Sequence, residues 1–164
     1  MKVVFSDIDQ VVRVAQNDDG TNEQFIPQLV RNLARLLTVS GAKLVISSDW
    51  RFKMSPEEVL SHMSEISPEK LHLHQLPDWI KQRRFAIQWW IDRHPGVTEW
   101  VVLDDRASLF DNAPPRIIEH VILCNGRVGL TGERVAAALR VLGVGVEHER
   151  TQFTGGSPEN DADL

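Results

Sequence analysis

Four short segments of the chain are almost wholly apolar, and they alternate with longer segments whose apolar residues recur at helical spacing. The four lie at residues 2–5, 43–46, 100–103 and 120–123. Strands that are apolar on both faces are typical of a parallel sheet covered by helices on both sides. The pattern therefore predicts an α/β fold in which a parallel sheet lies between two helical layers.

The segments between the strands carry start and stop signals of regular structure. Pro27 suits the first turn of a helix that Gly41 would end, and Ser55 with Glu58 forms a capping box at the start of another helix. Apolar spacing and capping residues predict four helices, at residues 27–40, 56–65, 84–94 and 132–142. Residues 11–25, with a polar turn at 17–20, predict a hairpin, and residues 67–77 predict a loop.

The size and charge of the chain suit a single soluble domain. It has 164 residues and a formal net charge of -5. From Glu147 onward there are five acidic residues and one basic residue, so the preceding part holds 18 acidic and 17 basic residues, a net charge of -1. We expect a domain over residues 1–146 and an acidic, disordered tail over residues 147–164. The overall charge of -5 disfavours tight nonspecific binding of nucleic acid, but because most of it lies in the tail it does not exclude a phosphorylated nucleic-acid end as substrate.

The sequence also limits the location of the protein and its chemistry. No apolar run approaches the roughly 20 residues that cross a bilayer, and acidic residues follow the N-terminus too closely for a secretory signal. We therefore expect a cytoplasmic protein with no membrane partner. The one cysteine, Cys124, permits neither an intrachain disulfide nor a Cys-rich zinc site, and we expect it to be a small buried hydrophobe.

Polar side chains follow three of the four apolar segments directly. They are Asp7 and Asp9 after the first, Ser47 and Ser48 after the second, and Asp104 and Asp105 after the third. Because the carboxyl ends of parallel strands share one edge of the sheet, these side chains should converge in a crevice there. Four carboxylates in one place repel each other unless a cation lies among them, and ligands that are all oxygen suit Mg²⁺.

A bound phosphate at this edge would need a positively charged side chain besides the metal. The candidates are Lys81, Arg83 and Arg84, which lie where the third predicted helix begins. A helix N-terminus also offers free backbone N–H groups to an anion. Their place in the chain, between the serine pair and the aspartate pair, favours a role at the site over a solvated charge cluster.

The order of these motifs resembles that of the haloacid dehalogenase (HAD) superfamily. The motifs are Asp7-Ile8-Asp9, Ser47 at a strand end, Arg84 at a helix start, and Asp104-Asp105. The chain is especially similar to the phosphatase domain of phage polynucleotide kinase and to HAD domains of RNA-repair proteins, which share an R/KxxIxxW helix before a DDR motif. The resemblance runs from about residue 3 to residue 142. It implies a three-layer, Rossmann-like α/β sandwich with little or no cap domain.

The resemblance also implies catalytic and metal-binding roles. Asp7 would be the nucleophile that attacks phosphorus to form an aspartyl-phosphate, and Asp9 would protonate the leaving oxygen and later activate water. Mg²⁺ would be held by the side chains of Asp7 and Asp104 and by the backbone carbonyl of Asp9. Asp105 would be either a further ligand or a residue that contacts the ligands.

Further residues would bind the phosphate and the rest of the substrate. The resemblance assigns the phosphoryl oxygens to Ser47 and Arg84, while Ser48, Arg51 and Arg83 are candidates for substrate binding near the entrance. Arg84 stands where the superfamily mostly has Lys, so Lys81 and Arg83 remain alternatives for the phosphate-holding residue. Another departure lies in the flap turn, where Gln10-Val11 replaces the Gly-Thr that commonly follows the second aspartate.

These motifs lead us to expect an Mg²⁺-dependent phosphomonoesterase acting on a nucleotide or a nucleic-acid 3′-phosphate end. One alternative is a small-molecule phosphatase for sugars or nucleotides. Another is a HAD-like metal-binding regulatory or interaction module with negligible turnover. The presence of Asp9 disfavours this alternative, because a binding protein needs no general acid. A signalling receiver domain is disfavoured, because its paired acids end the first strand and its phosphorylated aspartate lies on a later strand. The natural substrate, the oligomeric state and any protein partners stay open.

Two other residue pairs bear on the function. His72 and His74 alternate as metal ligands do, but no third ligand is in register, so we expect loop or surface histidines and no zinc site. Among the tryptophans, Trp50 and Trp79 flank the expected site, and they are the candidates for stacking on a base.

Overall fold

The structure, a computed structural model, describes residues 1–145; the predicted acidic tail over residues 147–164 lies outside the described residues. In chain order the elements are β1 (Lys2–Ser6), β2 (Arg13–Ala15), β3 (Glu23–Phe25), α1 (Pro27–Ser40), β4 (Lys43–Ile46), α2 (Pro56–Leu60), α3 (Arg83–Asp92), β5 (Glu99–Asp104), α4 (Pro115–Ile118), β6 (Val121–Leu123) and α5 (Gly132–Val141). Short 3₁₀ turns lie at Asp49–Phe52, Pro68–Lys70 and Ala107–Phe110. The predicted alternation of strands and helices is confirmed.

Four strands form a parallel sheet in the order β4-β1-β5-β6. Ser6, the last residue of β1, is in register with Ile46 of β4 on one side and with Leu103 of β5 on the other. The chain passes from β1 to β4 first and then crosses to the opposite side of β1 to form β5. Ligands of open α/β sheets bind at such a reversal of strand order, outside the carboxyl ends of the strands.

Alternating strand residues divide the apolar core between the two faces of the sheet. Val4 and Leu103 belong to a buried cluster with Leu33 of α1 and Val135 of α5. On the opposite face, a second buried cluster surrounds Trp90 of α3; its sheet residues are Val3, Phe5, Val45, Trp100 and Val102. Helices therefore cover both faces, which confirms the three-layer α/β sandwich.

The predicted hairpin follows β1, and its strands β2 and β3 pair antiparallel. Gln10, just before the hairpin, has a φ of 68°, in the left-handed region that glycine enters without strain. Within residues 1–145, the hairpin and α1 are the regular elements between β1 and β4, so the described chain has no large cap domain. None of its helices combines the length and apolar character that a membrane span requires.

Apart from shifts of one or two residues at the ends of α3 and α5, the helices differ from the prediction at two places. The second helix, α2, ends at Leu60 instead of near residue 65. Met63, inside the predicted helix, and Ile66, just beyond it, instead lie in turns: the Met63 N–H donates to the Leu60 carbonyl and the Ile66 N–H donates to the Met63 carbonyl. Both side chains are buried, so the apolar pattern fills the core without continuing the helix. The short helix α4, which Pro115 opens, was not predicted.

Candidate active site

Three neighbouring strands deliver polar side chains to the carboxyl edge of the sheet. The Asp7 N–H donates to the Leu103 carbonyl at 2.9 Å, and the Ser47 N–H donates to the Ser6 carbonyl at 2.9 Å. These two bonds continue the hydrogen bonding of the sheet one residue beyond the strand ends. The backbone therefore fixes the positions of Asp7, which follows β1, and of Ser47, which follows β4. Asp104 ends β5 beside them, and all three side chains are buried.

Carboxylates gather at this edge. One oxygen from each of Asp7, Asp104 and Asp105 lies within 4.8 Å of the other two. Asp7 Oδ1 also accepts a hydrogen bond from the Ile8 N–H at 2.8 Å, and Asp104 Oδ1 accepts one from the Arg106 N–H at 3.0 Å. A set of oxygen donors at this spacing fits a hard divalent cation such as Mg²⁺.

Burial and mutual repulsion make the negative charge of this cluster unfavourable. Burial raises the pKa of Asp7 to about 7, and the Asp104 and Asp105 carboxylates act in the same direction while Arg83 opposes them. The pKa of Asp105 is also raised, first by burial and then by Asp104. A bound cation would offset this repulsion, which is a second respect in which the cluster fits a metal.

Arg83, the first residue of α3, supplies the positive charge at the cluster. Its Nη1 lies 2.5 Å from Asp104 Oδ2 and 3.1 Å from Asp7 Oδ2, while Nη2 lies 3.3 Å from Asp49 Oδ1. The side chain is buried, and the surrounding carboxylates raise its pKa against the opposing effect of burial. Arg83 is therefore a fixed cation among the acids of the site.

Arg84, the residue that the family resemblance assigned to the phosphate, lies elsewhere. Its guanidinium carbon sits 4.6 Å from the ring centre of its neighbour Phe85, and Lys81 donates to the Asp78 carbonyl. Arg83, in contrast, shares a buried helix face with residues at i+3, i+4 and i+7, namely Ala86, Ile87 and Trp90. The geometry thus favours Arg83 over Arg84 as the phosphate-holding residue, and this helical spacing is the sequence signal that could have identified it.

The two serines after β4 differ in their hydrogen bonding. Ser47 Oγ is fully buried and has no hydrogen-bond partner among the described residues. Ser48 Oγ accepts from the Trp50 N–H at 3.3 Å and caps the 3₁₀ turn Asp49–Phe52. Since buried hydroxyls are normally paired, Ser47 is the serine whose hydroxyl leaves its hydrogen-bonding capacity unused among the described residues, while Ser48 is the one that lines the cavity in front of Asp7.

Arg51, expected at the substrate entrance, is turned toward the protein. Its side chain is 7% exposed. Nη1 donates to the Ser47 carbonyl at 3.0 Å, and Nη2 donates to the Ile80 carbonyl at 2.8 Å. Arg51 therefore ties the end of β4 to the segment before α3, and it supports the site without presenting its charge to the entrance.

Asp9 lies apart from the three clustered carboxylates. Its Oδ1 accepts from Arg13 Nη1 at 2.8 Å, and its Oδ2 accepts from Trp50 Nε1 at 3.0 Å. Arg13, on β2, also contacts Glu23 on β3. The side chain of Asp9 is 40% exposed, and Asp9 lines the same cavity as Asp7.

A cavity of about 300 Å³ joins these groups, and its walls include Asp7, Asp9, Ser48, Arg83, Asp105 and Arg106. Sequence reasoning missed Asp49, which pairs with Arg83, and Arg106, which bonds Asp104. It also missed the contacts of Arg13 and Trp50 with Asp9. The position of Asp49 directly after the serine pair, and that of Arg106 directly after the aspartate pair, were the available signals.

The remaining candidates lie outside the cavity. His72 is buried, contrary to the surface position considered for it, while His74 is exposed. A third imidazole, His94, lies 5.5 Å from His72 between ring centres, but within residues 1–145 the cluster of Asp7, Asp104 and Asp105 is the one group with metal-site spacing. Trp79 is 64% exposed and is available for stacking. Cys124 is buried as expected, and burial raises the pKa of its thiol to about 12.

Comparison with known proteins adds one finding to this geometry. The model of a family described as the HAD domain in Swiss Army Knife RNA repair proteins matches residues 3–135. No curated protein and no solved structure matches the chain.

Proposed function

The chain belongs to the HAD-domain family of Swiss Army Knife RNA repair proteins, and from this premise we propose that it is an Mg²⁺-dependent phosphomonoesterase with Asp7 as nucleophile. Membership supports a phosphatase-like function of the HAD type. The observation that carries the specific proposal is the convergence of Asp7, the unpartnered Ser47 hydroxyl and Arg83 at one sheet edge. A phosphate ester needs a nucleophile, a hydrogen-bond donor and a cation in this arrangement.

In the first step, an oxygen of the Asp7 carboxylate attacks phosphorus in line with the leaving group. The new bond joins Asp7 to phosphorus, and the ester P–O bond breaks with its electron pair staying on the leaving oxygen. Asp9 gives its proton to that oxygen, so an alcohol leaves and Asp9 becomes a carboxylate. The product on the protein is an aspartyl-phosphate.

In the second step, water replaces the first alcohol on the opposite face of phosphorus from Asp7. Asp9 takes a proton from this water as the new P–O bond forms. The bond between phosphorus and Asp7 breaks, which restores the Asp7 carboxylate and releases inorganic phosphate. Asp9 ends the cycle protonated, so the two steps balance and both carboxyl groups are ready for the next ester.

The chain's own cations and hydroxyls hold the phosphoryl group during both steps. The fork of Arg83 suits two phosphoryl oxygens, and the Ser47 hydroxyl donates to one of them. Asp49, paired with Nη2 of Arg83, helps to keep that guanidinium in place. Arg51 acts one layer further out by fixing the Ser47 backbone.

The side chains of Asp7, Asp104 and Asp105, with the backbone carbonyl of Asp9, would hold the metal ion. When bound there, Mg²⁺ supplies positive charge that offsets the carboxylates and allows an anionic phosphate to approach an anionic nucleophile. The spacing of the three carboxylates and the raised pKa values of Asp7 and Asp105 support this assignment.

For the substrate, we favour a nucleotide or a nucleic-acid 3′-phosphate end. Within residues 1–145 no large cap covers the cavity, so a bulky leaving group has room. An adjoining groove of about 390 Å³ has four basic and two acidic residues in its lining, namely Lys81, Arg83, Arg84 and Arg106 with Asp49 and Asp111, and this excess of positive charge suits further phosphates of a strand. A small sugar phosphate would make no use of this groove.

The decisive experiment compares esters, metal conditions and variants. We expect the wild type to hydrolyse p-nitrophenyl phosphate in Mg²⁺, and to lose this activity in EDTA and in Asp7→Asn. Asp92→Asn is the matched control, because Asp92 forms an exposed ion pair with Arg116 away from the site. Acid-quenched wild type should carry phosphate on the peptide that contains Asp7. Full activity of Asp7→Asn would reject the proposal.

A second panel tests the substrate class with 3′- and 5′-phosphorylated oligonucleotides, mononucleotides and sugar phosphates. Preference for the 3′-phosphorylated oligonucleotide supports the nucleic-acid assignment. Preference for a sugar phosphate replaces that assignment with a small-molecule phosphatase. Metal binding without turnover of any ester would instead identify a regulatory or interaction module.

A further inference from the structure

The indole N–H of Trp50 donates to Oδ2 of Asp9 at 3.0 Å, while Arg13 occupies Oδ1 at 2.8 Å. We infer that Trp50 is a positioning residue, whose N–H holds the carboxyl group of Asp9 in the orientation from which its proton reaches the leaving oxygen. This inference rests on the proposed function, in which Asp9 is the general acid. It assigns to Trp50 a role different from the base stacking considered from the sequence.

The indole ring of Trp50 is itself held in place by its neighbours. Trp50 lies in the 3₁₀ turn after β4, and the ring makes edge-to-face contacts with Phe25 at 5.5 Å and with His62 at 5.6 Å between ring centres. The Arg13 guanidinium carbon lies 5.5 Å from the centre of the same ring. These contacts leave little freedom to rotate, and they direct the N–H toward Asp9.

Asp9 needs such support because of its position in the chain. Its side chain is 40% exposed, and Asp9 directly precedes Gln10, where the backbone turns into the left-handed region. A single donor would fix one oxygen and leave the carboxyl plane free to rotate about it. Arg13 alone is that single donor, and its Nη1 is shared with Glu23. Trp50 supplies the second donor, from a different element, and the two together fix the plane.

The orientation of Asp9 matters in the step that breaks the ester bond. As the ester P–O bond breaks, its electron pair moves to the leaving oxygen, and the Asp9 proton neutralises it. A weakly basic leaving oxygen, such as that of p-nitrophenol, departs with little help, whereas a more basic one needs the proton. Loss of the Asp9 orientation should therefore slow the hydrolysis of esters with basic leaving groups most. The kinetic parameter kcat/KM reports on this step, because it covers the reaction only up to release of the alcohol.

The kinetic test uses Trp50→Phe, which keeps an aromatic ring beside Phe25 and removes the donor. Trp89→Phe is the matched control, because Trp89 lies on α3 and contacts Trp79 and Arg93. With Trp50→Phe in Mg²⁺, we expect kcat/KM to fall about tenfold or more for p-methoxyphenyl phosphate and less than about threefold for p-nitrophenyl phosphate. Equal losses for the two esters, or no loss for either, would overturn the inference.

A second measurement does not depend on activity. The chain has five tryptophans, so an amide-type ¹H–¹⁵N spectrum contains five indole N–H signals. The signal missing from Trp50→Phe should lie downfield in the wild type, as expected of a donor to a carboxylate, and should move upfield in Asp9→Ala. An unmoved signal would overturn the inference. Failure of the proposed function itself looks different: the wild type would then hydrolyse neither ester in Mg²⁺.

Discussion

The guanidinium of Arg83 lies 3.1 Å from the carboxylate of Asp7, and both side chains are buried. The same Nη1 nitrogen also contacts Asp104 at 2.5 Å. A buried charge that loses its partner is costly, so neither Asp7 nor Asp104 tolerates removal of the positive charge at position 83. A conservative exchange that keeps the charge separates this structural effect from the role in binding phosphate.

The first prediction concerns the choice between adjacent arginines. Arg83→Lys keeps the charge but loses the planar fork, so we expect kcat/KM for p-nitrophenyl phosphate to fall about 100-fold. Arg84→Lys should stay within about threefold, because Arg84 contacts Phe85 instead of the carboxylates. Steady-state kinetics and thermal unfolding of both variants provide the check. A larger loss for Arg84→Lys than for Arg83→Lys would return the phosphate-holding role to Arg84.

A second prediction follows from the unpartnered hydroxyl of Ser47. Ser47→Ala removes a hydroxyl that makes no hydrogen bond among the described residues, so it should change the free energy of unfolding by less than about 0.5 kcal/mol. The same change should weaken inhibition by inorganic phosphate about tenfold, since a bond to a charged ligand is lost. Ser48→Ala should instead lower the free energy of unfolding by about 1 kcal/mol, because the Ser48 hydroxyl caps a 3₁₀ turn. A strongly destabilised Ser47→Ala would contradict this account.

A third prediction links the Asp7 nucleophile to stability. Its folded pKa is raised from 3.8 to about 7, so the stability that its protonated form contributes is lost as the pH rises through 7. At pH 8 in EDTA, Asp7→Asn should therefore unfold with a free energy about 2 kcal/mol or more above that of the wild type. Chemical denaturation at several pH values measures the difference.

The advantage of Asp7→Asn should shrink as the pH falls from 7 toward 4, and also when Mg²⁺ is added to the wild type. Mg²⁺ has this effect if it binds the three carboxylates, because it stabilises the ionised form of Asp7 only in the folded state. Equal free energies of unfolding of the two proteins at pH 8 in EDTA would show that the ionised carboxylate of Asp7 does not destabilise the folded state. If added Mg²⁺ left the difference in free energy of unfolding between Asp7→Asn and the wild type unchanged, Asp7 would not be a ligand of the metal.

The sequence predicts the fold well because the relevant signals are local. Continuous apolar runs locate every strand of the parallel sheet, and the rule that parallel strands share an edge brings Asp7 and Asp104 together without further knowledge. The end of α2 is less predictable. Apolar residues at positions 63 and 66 suit either a longer helix or buried turns, and only packing decides between them.

The details of the site depend on contacts between distant segments, which spacing in the sequence does not contain. Whether Arg83 or Arg84 faces the cluster is set by which side of α3 packs on the sheet, and a prediction that starts the helix at residue 84 leaves Arg83 out of that face. The pairing of Trp50 with Asp9 joins residues 41 positions apart. Arg51 is similar, because its guanidinium donates to the Ile80 carbonyl, 29 positions further along the chain.

The fourth prediction concerns His72, whose backbone N–H donates to the Leu44 carbonyl of β4 at 2.9 Å. It is buried beside Trp90 and two other imidazoles, and burial lowers its pKa from the usual 6.5. The folded state thus resists protonation of this ring, so its contribution to stability is complete above pH 6.5 and is lost as the pH falls below that value. Between pH 7 and pH 5, the free energy of unfolding should fall more steeply for the wild type than for His72→Gln. Identical slopes for the wild type and His72→Gln would refute the prediction.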